Sequence, residues 1–144
     1  MRLRNASKDD AQAICSFMEE SAESSFPGRS VNMEPFRRRL LANIVKDPEM
    51  VKVAESGGEA IGYIWLGISP FLQGGSGRIR HIFIEKSHRG KGLGRQLMLA
   101  AEELFRARGI RHVSLVCTMS NKAAISLYSE MGFKTARFVM EKDL

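Results

Sequence analysis

One stretch decides the fold: Ile79-Arg80-His81-Ile82-Phe83-Ile84-Glu85-Lys86-Ser87-His88-Arg89-Gly90-Lys91-Gly92-Leu93-Gly94-Arg95. Ile79 to Glu85 reads as a strand. Gly90 to Gly94 is a glycine-rich turn. From Leu93 on, Leu97, Ala100, Ala101, Leu104 and Phe105 recur on one face, and Gly109 closes a helix over 93–108. A strand, a glycine-rich turn and a helix N-terminus together make an anion site. The glycines let backbone N–H groups converge, and the helix dipole favours negative charge there. The P-loop pattern fails because no Ser or Thr follows Lys91. The dinucleotide fingerprint fails because Arg95 stands where its third glycine belongs.

Working outward, the same region holds the charge of the whole chain. The net charge is +6 over 144 residues. Residues 1–77 are net −1, residues 113–144 net +1, and residues 78–112 carry +6. The cluster is compact and glycine-rich, which suits a small polyanion better than a nucleic acid, so no nucleic-acid partner is expected. No apolar run approaches the ~18 residues of a membrane span. Met1 to Asp10 is polar and charged, so neither a secretory nor a lipidation signal is read there. Cys15 and Cys117 match no zinc or redox spacing. No membrane, no metal and a reduced cytoplasmic setting are the expectations.

The rest of the chain reads as α/β, one domain over 1–144. A short strand over 1–5 leads to Ser7 as a helix cap and to a helix over 8–23, with Ala13, Ile14, Phe17, Met18 and Ser21 at helical spacing. A second helix spans 33–46 and stops at Asp47-Pro48. Strands at 50–56 and 60–69 flank a Gly57-Gly58 hairpin turn. A flexible connection, 70–77, follows. A strand over 112–117, a helix over 120–131 and a bent strand or short hairpin over 133–141 complete the chain. That last strand offers an edge for a possible homodimer.

Arg89-Gly90-Lys91-Gly92-Leu93-Gly94 also fits R-x-x-G-x-G. It resembles the acetyl-CoA pyrophosphate loop of the GNAT superfamily of N-acetyltransferases. Asn121, Ala124, Leu127, Tyr128, Gly132 and Phe133 resemble the family's second signature, N-x-x-A-x-x-L-Y-x-x-x-G-F, at the matching distance. The likeness covers essentially the whole chain. It implies a mixed, mostly antiparallel central sheet flanked by about four helices. It implies acetyl-CoA as co-substrate and an amine acceptor as the other partner.

By position, the resemblance assigns Ile82, Phe83 and Ile84 to a splayed strand segment whose backbone pairs with the pantetheine arm. Gly90, Lys91, Gly92, Leu93, Gly94 and Arg95 would hold the pyrophosphate, with side-chain charge from Arg89 and Lys91. Asn121 would bond the cofactor arm, and Tyr128 would lie beside the sulfur as general acid. Simpler readings stand beside these. Asn121 makes a reasonable helix cap, Tyr128 a half-buried core residue, and Ile82 and Ile84 ordinary buried strand residues.

The reaction implied is direct transfer to an amine, whose ammonium of pKa ~10 must first lose its proton. A strand N–H near Phe83 or Ile84 would polarise the thioester carbonyl. Where some members of the family carry a glutamate, this chain offers Arg78, Arg80 and His81 on the strand before the turn and Val116 and Cys117 on the following strand, and no carboxylate stands at either place. His81 is the only titratable base nearby, with an ordinary pKa of ~6.5. A water chain, or an amine of lowered pKa, is the other route. In the family the first two helices form the acceptor pocket. Here they hold Glu19, Glu20, Glu23 and Glu34 but also Arg37-Arg38-Arg39, and the two groups point to opposite acceptor charges. The loop Pro70–Gly77 is expected to flap over the acceptor. A non-catalytic acyl-CoA-binding sensor is the rival from another class.

Overall fold

The computed structural model describes residues 1–144. Five strands form one sheet in the order of the chain: β1 (Arg2–Asn5), β2 (Val51–Ser56), β3 (Glu59–Ser69), β4 (Ser76–Ile84) and β5 (Val113–Leu115). The first four are antiparallel neighbours, and β5 joins β4 in parallel. Four helices accompany them: α1 (Ala11–Ser25), α2 (Met33–Lys46), α3 (Leu93–Ala107) and α4 (Lys122–Glu130). This is the mixed, mostly antiparallel sheet with four helices that the sequence led us to expect.

The sheet is buried on both faces, each under its own core. Strand alternation sorts β3: Ile64 and Leu66 face α3, while Tyr63 and Trp65 face α1 and α2. On the first face, Leu93, Leu97, Ala101 and Phe105 of α3 cover Ile64, Leu66 and Ile79. On the second, Ile14 of α1 and Leu40 and Ile44 of α2 cover Val51, Val53, Tyr63, Trp65 and Phe83. The helical periodicities in the sequence come from these two stripes.

Asp10 ties the start of α1 to β1. Its carboxylate accepts a bidentate pair from Arg4, both bonds 2.8 Å, and the Ser7 backbone N–H at 2.7 Å. Ser7 caps the short turn Lys8–Asp10, and α1 begins only at Ala11. Burial works to raise the Asp10 pKa, but the bonds from Arg4 and Ser7 outweigh it and hold the group below its usual value. A folded pKa below the unfolded one adds stability above the unfolded pKa and loses it as pH falls through the folded value. Asp10→Asn is expected to lose about 1.5–3 kcal/mol at pH 7. Urea unfolding at pH 7 and in acid checks this, since the gap to wild type closes in acid.

One expected strand is absent. Residues 134–144 carry no regular structure, and Phe138, Val139 and Met140 lie exposed. These three are consecutive rather than alternating, so an extended chain has no single apolar face to bury. The three-residue β5 also offers too short a ladder to order a neighbour. The sheet's outer strands are therefore β1 and β5. No helix is long and apolar enough to cross a membrane.

Candidate active site

The strand that precedes the glycine turn is paired on one side only over its second half. β4 keeps β3 along its length, but β5 pairs with it only from Gly77 to Ile79. From Arg80 onward that edge is open. Glu85 N–H donates to the Ile61 carbonyl at 2.9 Å. A Cβ on Gly62 of β3 would lie 2.7 Å from the Phe83 carbonyl. Phe83 and Glu85 therefore turn their backbones toward β3, and by alternation Ile82 and Ile84 turn theirs to the open edge. Of the three residues assigned to the splayed segment, two face the gap. Phe83 faces the other strand and buries its ring in the second core.

The open edge begins where β4 carries a bulge against β3. The register slips between the pairs Leu66–Ile79 and Trp65–His81, leaving Arg80 as the extra residue. A bulge changes which side chains share a face, and Arg80 and His81, though adjacent, both line the same hollow on the α1/α2 side.

Beyond Ile84 the chain makes one short turn, Lys86–His88, and enters the glycine segment. Gly90 and Gly92 have φ of 73° and 78°, the left-handed region that side chains with a Cβ disfavour. Gly92 caps α3, and no side chain bonds the helix's first N–H groups. Leu93, Gly94 and Arg95 thus begin a 15-residue helix with donors free, at the positive end of its dipole. Gly94 has a second task. A Cβ there would meet the Leu127 side chain at 3.1 Å, so its lack of one lets α3 pack close to α4.

The basic side chains of this turn are mostly engaged within the protein. Arg89 Nε donates to the Ile84 carbonyl at 2.7 Å, and its guanidinium lies 5.4 Å from the centre of the Phe83 ring. Lys91 Nζ donates to the Ser87 carbonyl at 3.1 Å. Arg95 pairs with Glu130 of α4 at 2.7 Å. The groups this turn leaves free for an anion are therefore mainly its backbone N–H groups.

Across the gap, α4 presents the second signature. Asn121 Oδ1 accepts from Ala124 N–H at 3.2 Å and caps the helix, which leaves its side-chain NH2 free. Tyr128 is half-buried and packs edge-on against Phe133 with ring centres 6.0 Å apart. Its hydroxyl has no hydrogen-bond partner in the protein. Burial, with a smaller contribution from Cys117 beyond the end of β5, pushes its pKa up to about 12. It is a neutral donor at pH 7.

On the opposite face of β4 lies a cleft of about 240 Å³ between α1, α2 and the sheet, with His81 in its wall. Both His81 ring nitrogens are taken. Nδ1 bonds the Tyr63 hydroxyl and Nε2 the Ser21 hydroxyl, the latter at 3.1 Å. Burial lowers the His81 pKa to about 4, so the ring is neutral across the physiological range. The Pro70–Gly77 connection contributes no residue to this lining, so it does not cover the cleft. A larger hollow of about 540 Å³ between β1 and α3 touches none of the site residues.

Ile82, Ile84 and Tyr128 all pack against the α3-side core, and Gly94 of the turn lies against Leu127 of α4, while His81 sits on the opposite face of β4. The sequence reading missed Tyr63 and Ser21 as partners of His81. One signal was present for Ser21, a polar residue at an apolar position of the α1 periodicity.

Known proteins are similar to this chain in sequence and fold. A mycothiol acetyltransferase of Thermobispora bispora is 34% identical over 90 residues, 60% of this chain and 30% of that protein. An L-methionine sulfoximine/L-methionine sulfone acetyltransferase of Pseudomonas aeruginosa is 33% identical over 82 residues, 56% of this chain and 48% of that protein. The chain therefore spans less than half the length of these curated relatives. A GCN5-related N-acetyltransferase from Ralstonia eutropha JMP134 superposes with a TM-score of 0.81 at 26% identity, covering 99% of this chain and 97% of that one. The family pattern of the acetyltransferases matches residues 15–133, and the chain belongs to the acetyltransferase (GNAT) family.

Proposed function

We propose that the protein moves the acetyl group of acetyl-CoA directly to a primary amine on a small molecule, a protein N-terminus or a lysine. The observation that carries this is the open edge of β4 running into a glycine turn at the N-terminus of α3, whose first N–H groups no side chain bonds. An extended amide arm pairs with a free strand edge as an added strand does. A pyrophosphate suits converging N–H groups at a helix start. The outward backbone groups of Ile82 and the outward N–H of Ile84, whose carbonyl is engaged by Arg89, then hold the arm, and the N–H groups of residues 90–95 hold the phosphates. The free amide of Asn121 bonds the arm from the other side.

Acetyl-CoA supplies an acyl group already activated as a thioester. The chain's own groups do the rest. An outward N–H of β4 stabilises charge that develops on the carbonyl oxygen. The amine nitrogen bonds to the carbonyl carbon and gives up its extra proton to water, the carbon–sulfur bond breaks, and the Tyr128 hydroxyl donates its proton to the departing sulfur. Tyr128 regains a proton from solvent.

We assign His81 a positioning role rather than that of the base, because its ring is held at both nitrogens and is a weak base at a pKa of about 4. The amine loses its proton to water. The arginines of the cleft assist, since nearby positive charge lowers an ammonium's pKa. A His81 of ordinary pKa would give the rate profile a limb near pH ~6.5. Here kcat/KM is expected to rise with the acceptor's own deprotonation and show no such limb. His81→Gln should lower the level of the profile without changing its shape, measured from pH 5 to 9.

The lack of a carboxylate in the cleft also suits a sensor that binds acyl-CoA without turnover. Calorimetry with acetyl-CoA, alongside thiol release over a panel of amines and N-terminal peptides, separates the two. Binding with turnover supports the enzyme, and binding with none on any acceptor supports the sensor.

A further inference from the structure

The cleft beside His81 carries charge that nothing in the protein balances. Arg39 of α2 and Arg78 and Arg80 of β4 line it, and no lining residue is acidic. None of the three has a carboxylate partner or a side-chain hydrogen bond within the protein. Other arginines of the chain behave differently: Arg38 pairs with Glu34, Arg95 with Glu130, and Arg108 with Asp47 and Glu49. The structure also separates the run Arg37-Arg38-Arg39. Arg37 bonds Gln12 at 3.4 Å and Arg38 turns to Glu34, while Arg39 alone reaches the cleft.

The three guanidiniums sense one another. Burial lowers the Arg80 pKa, and the charges of Arg39 and Arg78 lower it further. The β4 bulge contributes directly, since it places Arg80 on the same face as His81. The floor beneath them is aromatic. Trp65 is buried and anchored by its Nε1–H to Asn43 Oδ1 at 3.1 Å. Phe36 meets it edge-on at 5.3 Å, and the Arg80 guanidinium lies 5.8 Å from the centre of its ring.

We propose that this cleft takes an acceptor amine that also carries a carboxylate or phosphate, seated on Arg39, Arg78 and Arg80 with its apolar part on Trp65 and Phe36. Guanidinium forks match either anion through paired N–H donors. Neutral His81 adds no charge of its own. A polyamine is repelled, because it brings positive charge to a positive wall. The proposal rests on the acetyl-transfer reading only for what happens to the amine; the anion site itself does not depend on turnover.

Trp65 is the chain's single tryptophan, so its fluorescence reports occupancy of the cleft without acetyl-CoA. The protein is titrated with L-leucine against L-leucinamide, with O-phosphoethanolamine against ethanolamine, and with spermidine. At least one anionic compound is expected to bind saturably, weaken with salt, and bind about tenfold or more tightly than its neutral-headed counterpart. The leucine and phosphoethanolamine arms tell carboxylate from phosphate. Arg80→Gln should remove the preference, and Arg38→Gln should keep it. Equal binding of the neutral counterparts, tighter binding of spermidine, or no response to any compound overturns the proposal. The same panel is then assayed for acetylation. Anion binding with no acetylated product leaves this site standing and sinks the acetyl-transfer reading. Acetylation with no preference for anionic acceptors does the reverse.

Discussion

Tyr128→Phe is expected to lower kcat about 100-fold or more, within the range that proton transfer by a positioned side chain contributes. The KM for acetyl-CoA should change little, because the ring stays packed against Phe133 and only an oxygen is lost. The reason lies in the hydroxyl's surroundings. It has no partner in the protein, and burial holds its pKa at about 12, so at pH 7 it is protonated and free to donate. A tyrosine with a merely structural hydroxyl would show a bond to a neighbour and a loss of stability on removal. Steady-state kinetics with thermal unfolding of the same variant separate these cases. Full turnover by the phenylalanine variant would remove Tyr128 from the chemistry.

The second large effect is expected at Gly92. Gly92→Val places a β-branched side chain at φ 78°, which costs ~1–2 kcal/mol for an ordinary residue and more for a branched one. Nothing lies within 4 Å of a Cβ there, so the cost is one of backbone conformation and not of a clash. The turn relaxes toward negative φ and the N–H groups at the start of α3 lose their common aim. Acetyl-CoA affinity should fall about tenfold or more, since one aimed donor to a charged group is worth ~1.5–3 kcal/mol. Arg89→Gln is expected to cost less, because that guanidinium already serves the Ile84 carbonyl and the Phe83 ring. Calorimetric titration of both variants checks the order. A larger loss at Arg89 than at Gly92 would put the phosphate on side chains instead of the backbone.

What could be read from the sequence was local. The turn before α3 announces itself through glycine spacing and the helix stripe that follows. The end of α2 is marked by Asp47-Pro48. What the sequence hid depends on distant partners. The β4 bulge is a mismatch against Trp65 and Leu66, some fifteen residues earlier in the chain, and no pattern within β4 reveals it. Yet it sets which side chains face the cleft and where the open edge begins. Arg37, Arg38 and Arg39 are alike as letters, and only packing against α1 and the sheet sends one of them into the cleft. His81 read as a candidate base because it is the only titratable base near the turn. Tyr63 and Ser21, from β3 and α1, take both its nitrogens. The segment 133–141 misled in the other direction, since β propensity without an alternating face gives a strand nothing to pack on.

The central claim is direct transfer from thioester to amine across the β4–β5 gap. A single-turnover mixture of protein, acetyl-CoA and an amine acceptor, quenched and read by intact mass, tests it most directly. Direct transfer leaves acetyl on the amine nitrogen in proportion to free CoA thiol, with the protein mass unchanged. Acetyl retained on the protein, at Cys117 for example, or no acetylated amine with any acceptor, would contradict it.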